Sequence, residues 1–223
     1  MTTTPSRDVP IDPAHAALLF IDVQNYCAGP DGGEYAQMDP AARQARYGWF
    51  FDTMRTSAVP NMQRLQAACR KGGIEVLYTT IENMTQDGRD RSLDYKISGL
   101  NVARGSWDAK VIDAISPTAD EMVFPKTSSS VFISTNLDYV LRNLGVRSLI
   151  VSGGLTDQCI DSAVRDACDL GYLVTTVTDA CATLTQERHD WSLRNARGYS
   201  RQCTTAELVA EIEALTAGKR IAS

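Results

Sequence analysis

The sequence predicts an α/β protein with a three-layer α/β/α, Rossmann-like fold built on a central, mostly parallel sheet of about six strands. Three observations support this class. Apolar runs without polar alternation, typical of strands buried on both faces, recur along the chain. Amphipathic helical patterns separate these runs, and glycines follow several of the helices. Strands that alternate with helices form parallel βαβ units, with helices covering both faces of the sheet.

The individual elements follow from the same patterns. The apolar runs predict strands at residues 16–22, 74–80, 121–124, 148–153 and 173–177, with a sixth near 199–203. Residues spaced for one helical face predict helices over 58–73, 135–145, 157–172 and 204–215. Two long segments, 27–55 and 85–110, are expected to form loops that serve as a lid over a site or as a subunit interface.

Length and composition indicate one α/β domain, with two smaller domains as the weaker alternative. We expect residues 1–13 to form a flexible arm and residues 14–223 a single domain. A formal net charge of −5, without a long basic block, argues against a nucleic-acid partner. The start of the chain lacks the pattern of a secretory signal and no apolar run reaches 18 residues, so we expect a cytoplasmic protein without a membrane span.

Cysteines and histidines give no sign of a metal site. The six cysteines are irregularly spaced, which fits neither a CxxC metal pattern nor a dense disulfide framework. The two histidines, His15 and His189, are isolated along the chain. We therefore expect free thiols, no metal and no cofactor.

Three chemically active side chains follow predicted strands. Asp22 ends the first strand, Lys126 comes after the third, and Cys159 comes after the fourth, at the start of a helix. In a doubly wound sheet, ligands bind beyond the carboxyl ends of the strands. The topology therefore predicts that these three residues meet at one edge of the sheet.

Each of the three also has a simpler interpretation. Cys159 at a helix N-terminus is expected to favour a thiolate, although a lone cysteine is more often a packed apolar residue. Asp22 is either a turn cap or a partly desolvated proton shuttle. Lys126 is either a solvated surface residue or an inward-pointing cation beside the carboxylate and the thiol. Single residues leave these alternatives open.

Three sequence segments together resemble the isochorismatase-like cysteine hydrolases. ALLFIDVQN is similar to the family's first strand with its aspartate, and PKTSSSVFISTNLDYVLRNLGV to its lysine segment. SGGLTDQCIDSAVRDACDLGYLVTTVTDACAT is similar to its nucleophile segment. The motifs occur in family order and span roughly residues 14–215, which favours the catalytic interpretation of all three side chains.

The resemblance implies hydrolysis of an amide-type C–N bond by a Cys159–Asp22–Lys126 triad through a thioester acyl-enzyme. It also implies an oxyanion hole formed by the backbone N–H groups of Leu155 and Cys159, and a cis peptide bond between Gly154 and Leu155. Family members are usually dimers or tetramers, so the resemblance implies a homo-oligomer.

The resemblance leaves several substrates of the family as candidates. The metal motif of the nicotinamidases is absent from this sequence, which favours ureido or carbamoyl compounds such as N-carbamoylsarcosine, ureidoacrylate or biuret. A vinyl-ether hydrolase and a catalytically idle binding protein are the alternatives. The residues that we expect to contact substrate are Gln24, Tyr26, Glu82, Asn83, Arg104, Phe132 and Gln158.

Overall fold

The computed structural model of the chain describes residues 6–33 and 35–217. In these residues, a six-stranded sheet runs in the order β3-β2-β1-β4-β5-β6, and every neighbouring pair of strands is parallel. The strands are β1 (Ala16–Ile21), β2 (Glu75–Ile81), β3 (Met122–Lys126), β4 (Ser148–Gly154), β5 (Leu173–Ala182) and β6 (Arg201–Cys203). The predicted α/β class and the six-stranded parallel sheet are confirmed.

Helices connect the strands and cover both faces of the sheet. They are α1 (Asn25–Ala28), α2 (Pro40–Thr53), α3 (Val59–Gly72), α4 (Leu93–Ser98), α5 (Val131–Ser134), α6 (Leu137–Asn143), α7 (Asp161–Asp169), α8 (Gln186–Ala196) and α9 (Thr205–Ala217). A π-helical turn, Met54–Ala58, joins α2 to α3, and a second one, Thr156–Ile160, precedes α7. Each helix thus lies within a connection between parallel strands or after the last strand.

Strand β1 shows why its sequence is apolar at every position. Ala16, Leu18 and Phe20 pack into a core with side chains of α3 and α9. Ala17, Leu19 and Ile21 point the other way and pack into a core with side chains of α6 and α7. Successive strand residues face opposite sides of a sheet, so a strand between two helical layers has no solvated face.

The segment 27–55 differs from the loop that its sequence suggested. Most of it is helical: α2 begins at Pro40 after Asp39, whose carboxylate accepts hydrogen bonds from the N–H groups of Ala41 and Ala42. The helix then continues through the π-helical turn into α3. Helix α8 was also not predicted; Thr185 caps it by accepting a hydrogen bond from Arg188 N–H at 3.2 Å.

Residues 6–13, part of the arm that we expected to be flexible, contact the domain. The Ile11 side chain is buried, and its N–H donates to Glu211 Oε1 at 2.9 Å. Val9 O accepts a hydrogen bond from the Arg201 guanidinium at 3.0 Å. Residues 1–5 of that arm, and residues 218–223 of the predicted domain, lie outside the described residues. Within the described part of the chain, no helix combines the length and apolarity of a membrane span.

Candidate active site

The sheet brings Asp22, Lys126 and Cys159 together at the carboxyl ends of its central strands. Asp22 directly follows β1, Lys126 is the last residue of β3, and Cys159 lies in the π-helical turn after β4. Lys126 Nζ lies 2.9 Å from Asp22 Oδ2 and 3.3 Å from Cys159 Sγ. The structure therefore places the three predicted residues in one contact group, as parallel strands with aligned ends require.

Lys126 is fully buried, and four neighbouring groups lie within contact distance of its ammonium group. It donates to Tyr95 Oη at 2.9 Å, to Ser128 O at 2.9 Å and to Cys159 Sγ at 3.3 Å. Asp22 Oδ2 is equally close, at 2.9 Å, and forms an ion pair with the ammonium group. Lys126 thus supplies charge to Asp22 and hydrogen bonds to the other groups. This arrangement contradicts the solvated-lysine alternative.

Asp22 is buried, with one oxygen in a hydrogen bond and the other in an ion pair. Its backbone has a φ of 55°, and its N–H donates to Thr79 O at 3.1 Å. Oδ1 accepts a hydrogen bond from Thr79 Oγ1 at 2.7 Å, whereas Oδ2 accepts none among the described residues. Oδ2 instead takes part in the ion pair with Lys126 Nζ at 2.9 Å.

Burial sets the protonation of the other two groups. Burial alone would lower the pKa of Lys126, but the charges of Asp22 and Cys159 outweigh it and hold that pKa well above its usual range. The pKa of Cys159 is raised to about 12, chiefly by burial. Lys126 lowers this pKa, whereas Asp22 raises it. Desolvation of the thiol thus opposes the thiolate that the start of the helix favours.

The turn that carries Cys159 is fastened to helix α8. Thr156 Oγ1 and His189 Nδ1 form a hydrogen bond of 2.9 Å, and Ser192 Oγ donates to Thr156 O at 2.9 Å. The peptide bond between Gly154 and Leu155 is cis. Both of these residues line the same cavity as Cys159, where backbone N–H groups can face a bound carbonyl.

A cavity of about 630 Å³ opens onto the reactive group. Asp22 and Cys159 form part of its lining, and aromatic side chains form much of the remainder: Tyr26, Tyr35, Tyr47, Phe50 and Tyr95. Two charged residues, Arg46 and Asp94, also border it. The volume suits a small organic molecule that places one carbonyl next to Cys159.

Two of the seven expected substrate contacts line this cavity, namely Tyr26 and Gln158. Gln24 does not line the cavity, because its buried side chain forms hydrogen bonds with backbone groups beside the site. Its Nε2 donates to Ile81 O at 2.9 Å and to Asp108 O at 3.0 Å, and its Oε1 accepts from Ile81 N–H at 2.5 Å. Gln24 therefore ties β2 to the segment that follows α4.

The other four expected contacts lie away from the cavity wall. Glu82 accepts a hydrogen bond from Gly105 N–H, and Asn83 donates to Asn101 Oδ1. Arg104 is exposed to solvent. Phe132 packs against the core beside Tyr172, with ring centroids 6.2 Å apart. Loop pairing and core packing thus occupy side chains that the sequence suggested for substrate.

The structure adds cavity residues that the sequence analysis did not name as substrate contacts. Arg46, Tyr47, Phe50 and Met54 line the cavity from one face of α2 and the turn after it. Tyr47, Phe50 and Met54 follow Arg46 by one, four and eight residues, a spacing that places side chains on one face of a helix. This pattern in the sequence could have indicated that they share a surface. Tyr95 has no such signal, since it stands in a polar segment whose helix has two turns at most.

No group of three or more histidine, cysteine, aspartate or glutamate side chains within residues 6–33 and 35–217 is arranged to hold a metal ion. All six cysteines are free thiols, and four of them are buried: Cys69, Cys159, Cys181 and Cys203. The charge that acts on Asp22 and Cys159 therefore comes from Lys126.

Comparison with known proteins agrees with this geometry. A ureidoacrylate amidohydrolase, RutB of Rhizobium rhizogenes, is 28% identical over 198 residues, covering 80% of this chain and 75% of that protein. The structure of a cysteine hydrolase from Pseudomonas syringae pv. phaseolicola superposes with a TM-score of 0.80 and 26% identity, covering 96% of this chain and all of that one.

A third relative shares the fold. The N-carbamoylsarcosine amidase of Thermoplasma acidophilum superposes with a TM-score of 0.64 at 24% identity, covering 85% of this chain and 96% of that one. The family model described as the isochorismatase domain matches residues 16–207. Since that match includes all six strands and the three clustered residues, the chain belongs to the isochorismatase family of hydrolases.

Proposed function

We propose that this protein is a cysteine-dependent amidohydrolase that cleaves a C–N bond of a small ureido or carbamoyl compound. One observation carries the proposal. Beside a cavity of about 630 Å³, the buried Cys159 thiol and the Asp22 carboxylate meet at the Lys126 ammonium, whose Nζ lies 3.3 Å from Cys159 Sγ and 2.9 Å from Asp22 Oδ2. A buried nucleophile beside a carboxylate base and a fixed cation is an arrangement suited to acyl transfer.

Acylation begins when Asp22 Oδ2 accepts the thiol proton as Cys159 Sγ attacks the substrate carbonyl. The C–S bond forms, and the carbonyl π electrons move to oxygen, where the N–H groups of Leu155 and Cys159 stabilise the oxyanion. The oxyanion then collapses, the C–N bond breaks, and the leaving nitrogen takes the proton from Asp22. Lys126 remains protonated throughout and offsets the negative charge that develops on sulfur.

Deacylation reverses these roles. Water attacks the thioester carbonyl and transfers a proton to Asp22. The C–S bond breaks, the acid product departs, and Cys159 recovers its proton from Asp22. The same carboxylate therefore acts as base and then as acid in each half of the reaction.

Arg46 favours a substrate that also carries a carboxylate. It borders the cavity, its guanidinium lies 5.1 Å from the centre of the Tyr47 ring, and no carboxylate pairs with it among the described residues. A ureido acid placed with its carbonyl at Cys159 can direct its carboxylate toward this cation. RutB acts on ureidoacrylate, as its name states, which agrees with a substrate of this class.

Ammonia release tests the proposal. Wild-type protein, Cys159→Ala and the control Cys168→Ala are incubated with ureidoacrylate, N-carbamoyl amino acids, biuret and simple amides. We expect ammonia from at least one ureido compound with wild type and with C168A, whose thiol lies on α7 away from the cavity. C159A should release none.

Ammonia release, together with assays of vinyl-ether hydrolysis and of ligand binding, separates the alternatives. Retained ammonia release by C159A contradicts the thiol mechanism. Hydrolysis of a vinyl ether without any amide cleavage indicates the second enzyme class. Tight binding of a ureido acid with no turnover by wild type indicates a binding protein. Intact-mass detection of an acyl adduct, present in wild type and absent in C159A, is the direct sign of the thioester.

A further inference from the structure

Tyr95 is a buried residue of the site to which the sequence motifs assign no role. It lies in α4, within segment 85–110, and only 2% of it is exposed. Its hydroxyl lies 2.9 Å from Lys126 Nζ and 4.0 Å from Cys159 Sγ. Tyr95 also lines the cavity, so its hydroxyl borders the reacting atoms.

The position of Tyr95 is fixed by hydrogen bonds that connect α4 to the strand carrying Lys126. Ser92 Oγ accepts the Tyr95 N–H at 3.2 Å and so caps the helix. Ser92 N–H in turn donates to Thr127 O at 2.8 Å, immediately after Lys126. The phenol is therefore held by the same backbone that holds the ammonium group, which is how a catalytic group is preorganised.

Counting donors shows what the hydroxyl can do. Lys126 has hydrogens to give and no acceptor, so in its contact with Tyr95 the phenol oxygen is the acceptor. The phenol hydrogen must then point elsewhere. The other recorded partner of the hydroxyl is Cys159 Sγ, and the remaining direction is the cavity.

We propose that Tyr95 is a fourth member of the catalytic group, which holds the Lys126 ammonium against Cys159 and donates its hydroxyl hydrogen to the sulfur whenever the sulfur is anionic. This rests on the proposed function. The sulfur gains negative charge twice, when its proton moves to Asp22 during attack and when the C–S bond breaks during deacylation. Tyr95 keeps its own proton in both steps, and the protons still move between Cys159, Asp22, substrate and water.

The test removes only the hydroxyl. Tyr95→Phe is compared with Tyr172→Phe, a matched control whose phenol is also buried and hydrogen-bonded, to Asp138 Oδ1 at 2.8 Å, but does not line the cavity. The first readout is the rate at which iodoacetamide alkylates Cys159 at pH 9, resolved by peptide mass spectrometry. It reports thiolate formation without any substrate.

We expect Y95F to lower this rate about tenfold, since a hydrogen bond to a charged group changes an equilibrium by roughly that factor. We expect kcat for the ureido substrate to fall at least as far with KM changed less than about twofold, because the lost contact is to the reacting sulfur. Y172F should stay within about twofold of wild type in both measurements. A Y95F rate equal to that of Y172F overturns the proposal and leaves Tyr95 as a packing residue.

A second variant covers the case in which Y95F does not fold, and the behaviour of C159A separates this proposal from the proposed function. If Y95F does not fold, 3-fluorotyrosine at position 95 preserves the shape and strengthens the donor, and alkylation at pH 7.5 should then exceed the wild-type rate; an unchanged or lower rate contradicts the inference. If C159A still turns over substrate, the thiol mechanism fails. If C159A is inactive and Y95F alkylates normally, only the role of Tyr95 fails.

Discussion

Lys126 Nζ lies 2.9 Å from Asp22 Oδ2, and 0% and 2% of these two side chains are exposed. A charge in such a place depends on its partner, because neither group can regain water. The pair therefore links the stability of the sheet edge to the chemistry of the site. It also explains how a lysine can be fully buried and still have a pKa well above its usual value.

A double-mutant cycle should reveal this dependence. We expect Lys126→Met and Asp22→Asn each to lower the free energy of unfolding by about 3–5 kcal/mol, since each leaves the other charge uncompensated. The double variant should lose less than the sum of the two single losses. Urea denaturation followed by circular dichroism provides the values. Additive losses would mean that the two charges do not stabilise each other.

The resting state of Cys159 can be read from the pH dependence of its alkylation. Because burial raises its pKa to about 12, the rate for wild type should rise about tenfold per pH unit between pH 7 and pH 10. Site-resolved mass spectrometry separates it from Cys168, which is half-buried. A plateau near neutral pH would show a preformed thiolate and contradict the neutral thiol.

Arg46 should determine the affinity for carboxylate-bearing substrates. Arg46→Gln removes the cation at the cavity, and we expect KM for a ureido acid to rise about tenfold or more while KM for uncharged biuret stays constant. Arg104→Gln is the matched control, because Arg104 is exposed and does not line the cavity. Equal effects of the two variants, or an equal effect on biuret, would exclude a specific carboxylate contact at Arg46.

Gly153 is required where β4 passes β1. Its φ is +131°, and a Cβ at this position would lie 2.2 Å from Ile21 O. We expect Gly153→Ala to lower the free energy of unfolding by about 2 kcal/mol or more, from backbone strain and overlap together. Gly198→Ala, at a position with open space, should change it by less than about 0.5 kcal/mol. Thermal denaturation of both variants provides the comparison, and a stable G153A would refute the overlap.

His189 should make the nucleophile turn sensitive to acid. Burial lowers its pKa below the usual 6.5, more than nearby Asp190 and Asp157 raise it. The unfolded chain then binds the proton more readily than the folded one, so stability falls as the pH drops below about 6.5. We expect the melting temperature to decrease between pH 7.5 and pH 5.5, and His189→Gln to weaken this decrease. An unchanged decrease in His189→Gln would contradict this role of His189.

Local patterns in the sequence were sufficient for the sheet and for the reactive group. A strand such as 16–22 is recognisable because both of its faces are buried, so every position is apolar until Asp22. Once strands are parallel, their ends align, and the residues that follow them must meet. Asp22, Lys126 and Cys159 could therefore be placed together without knowing a single distance.

The cavity wall and the state of the thiol were decided by the tertiary structure. Arg46 and Tyr95 reach the site because α2 and α4 pack over the strand ends, whereas Gln24 and Glu82 are taken up by hydrogen bonds within the scaffold. Such contacts join residues far apart in sequence, and no local period encodes them. Protonation depends in the same way on burial by distant segments. The sequence alone thus determined which groups could react, and the packing of the connections determined what surrounds them.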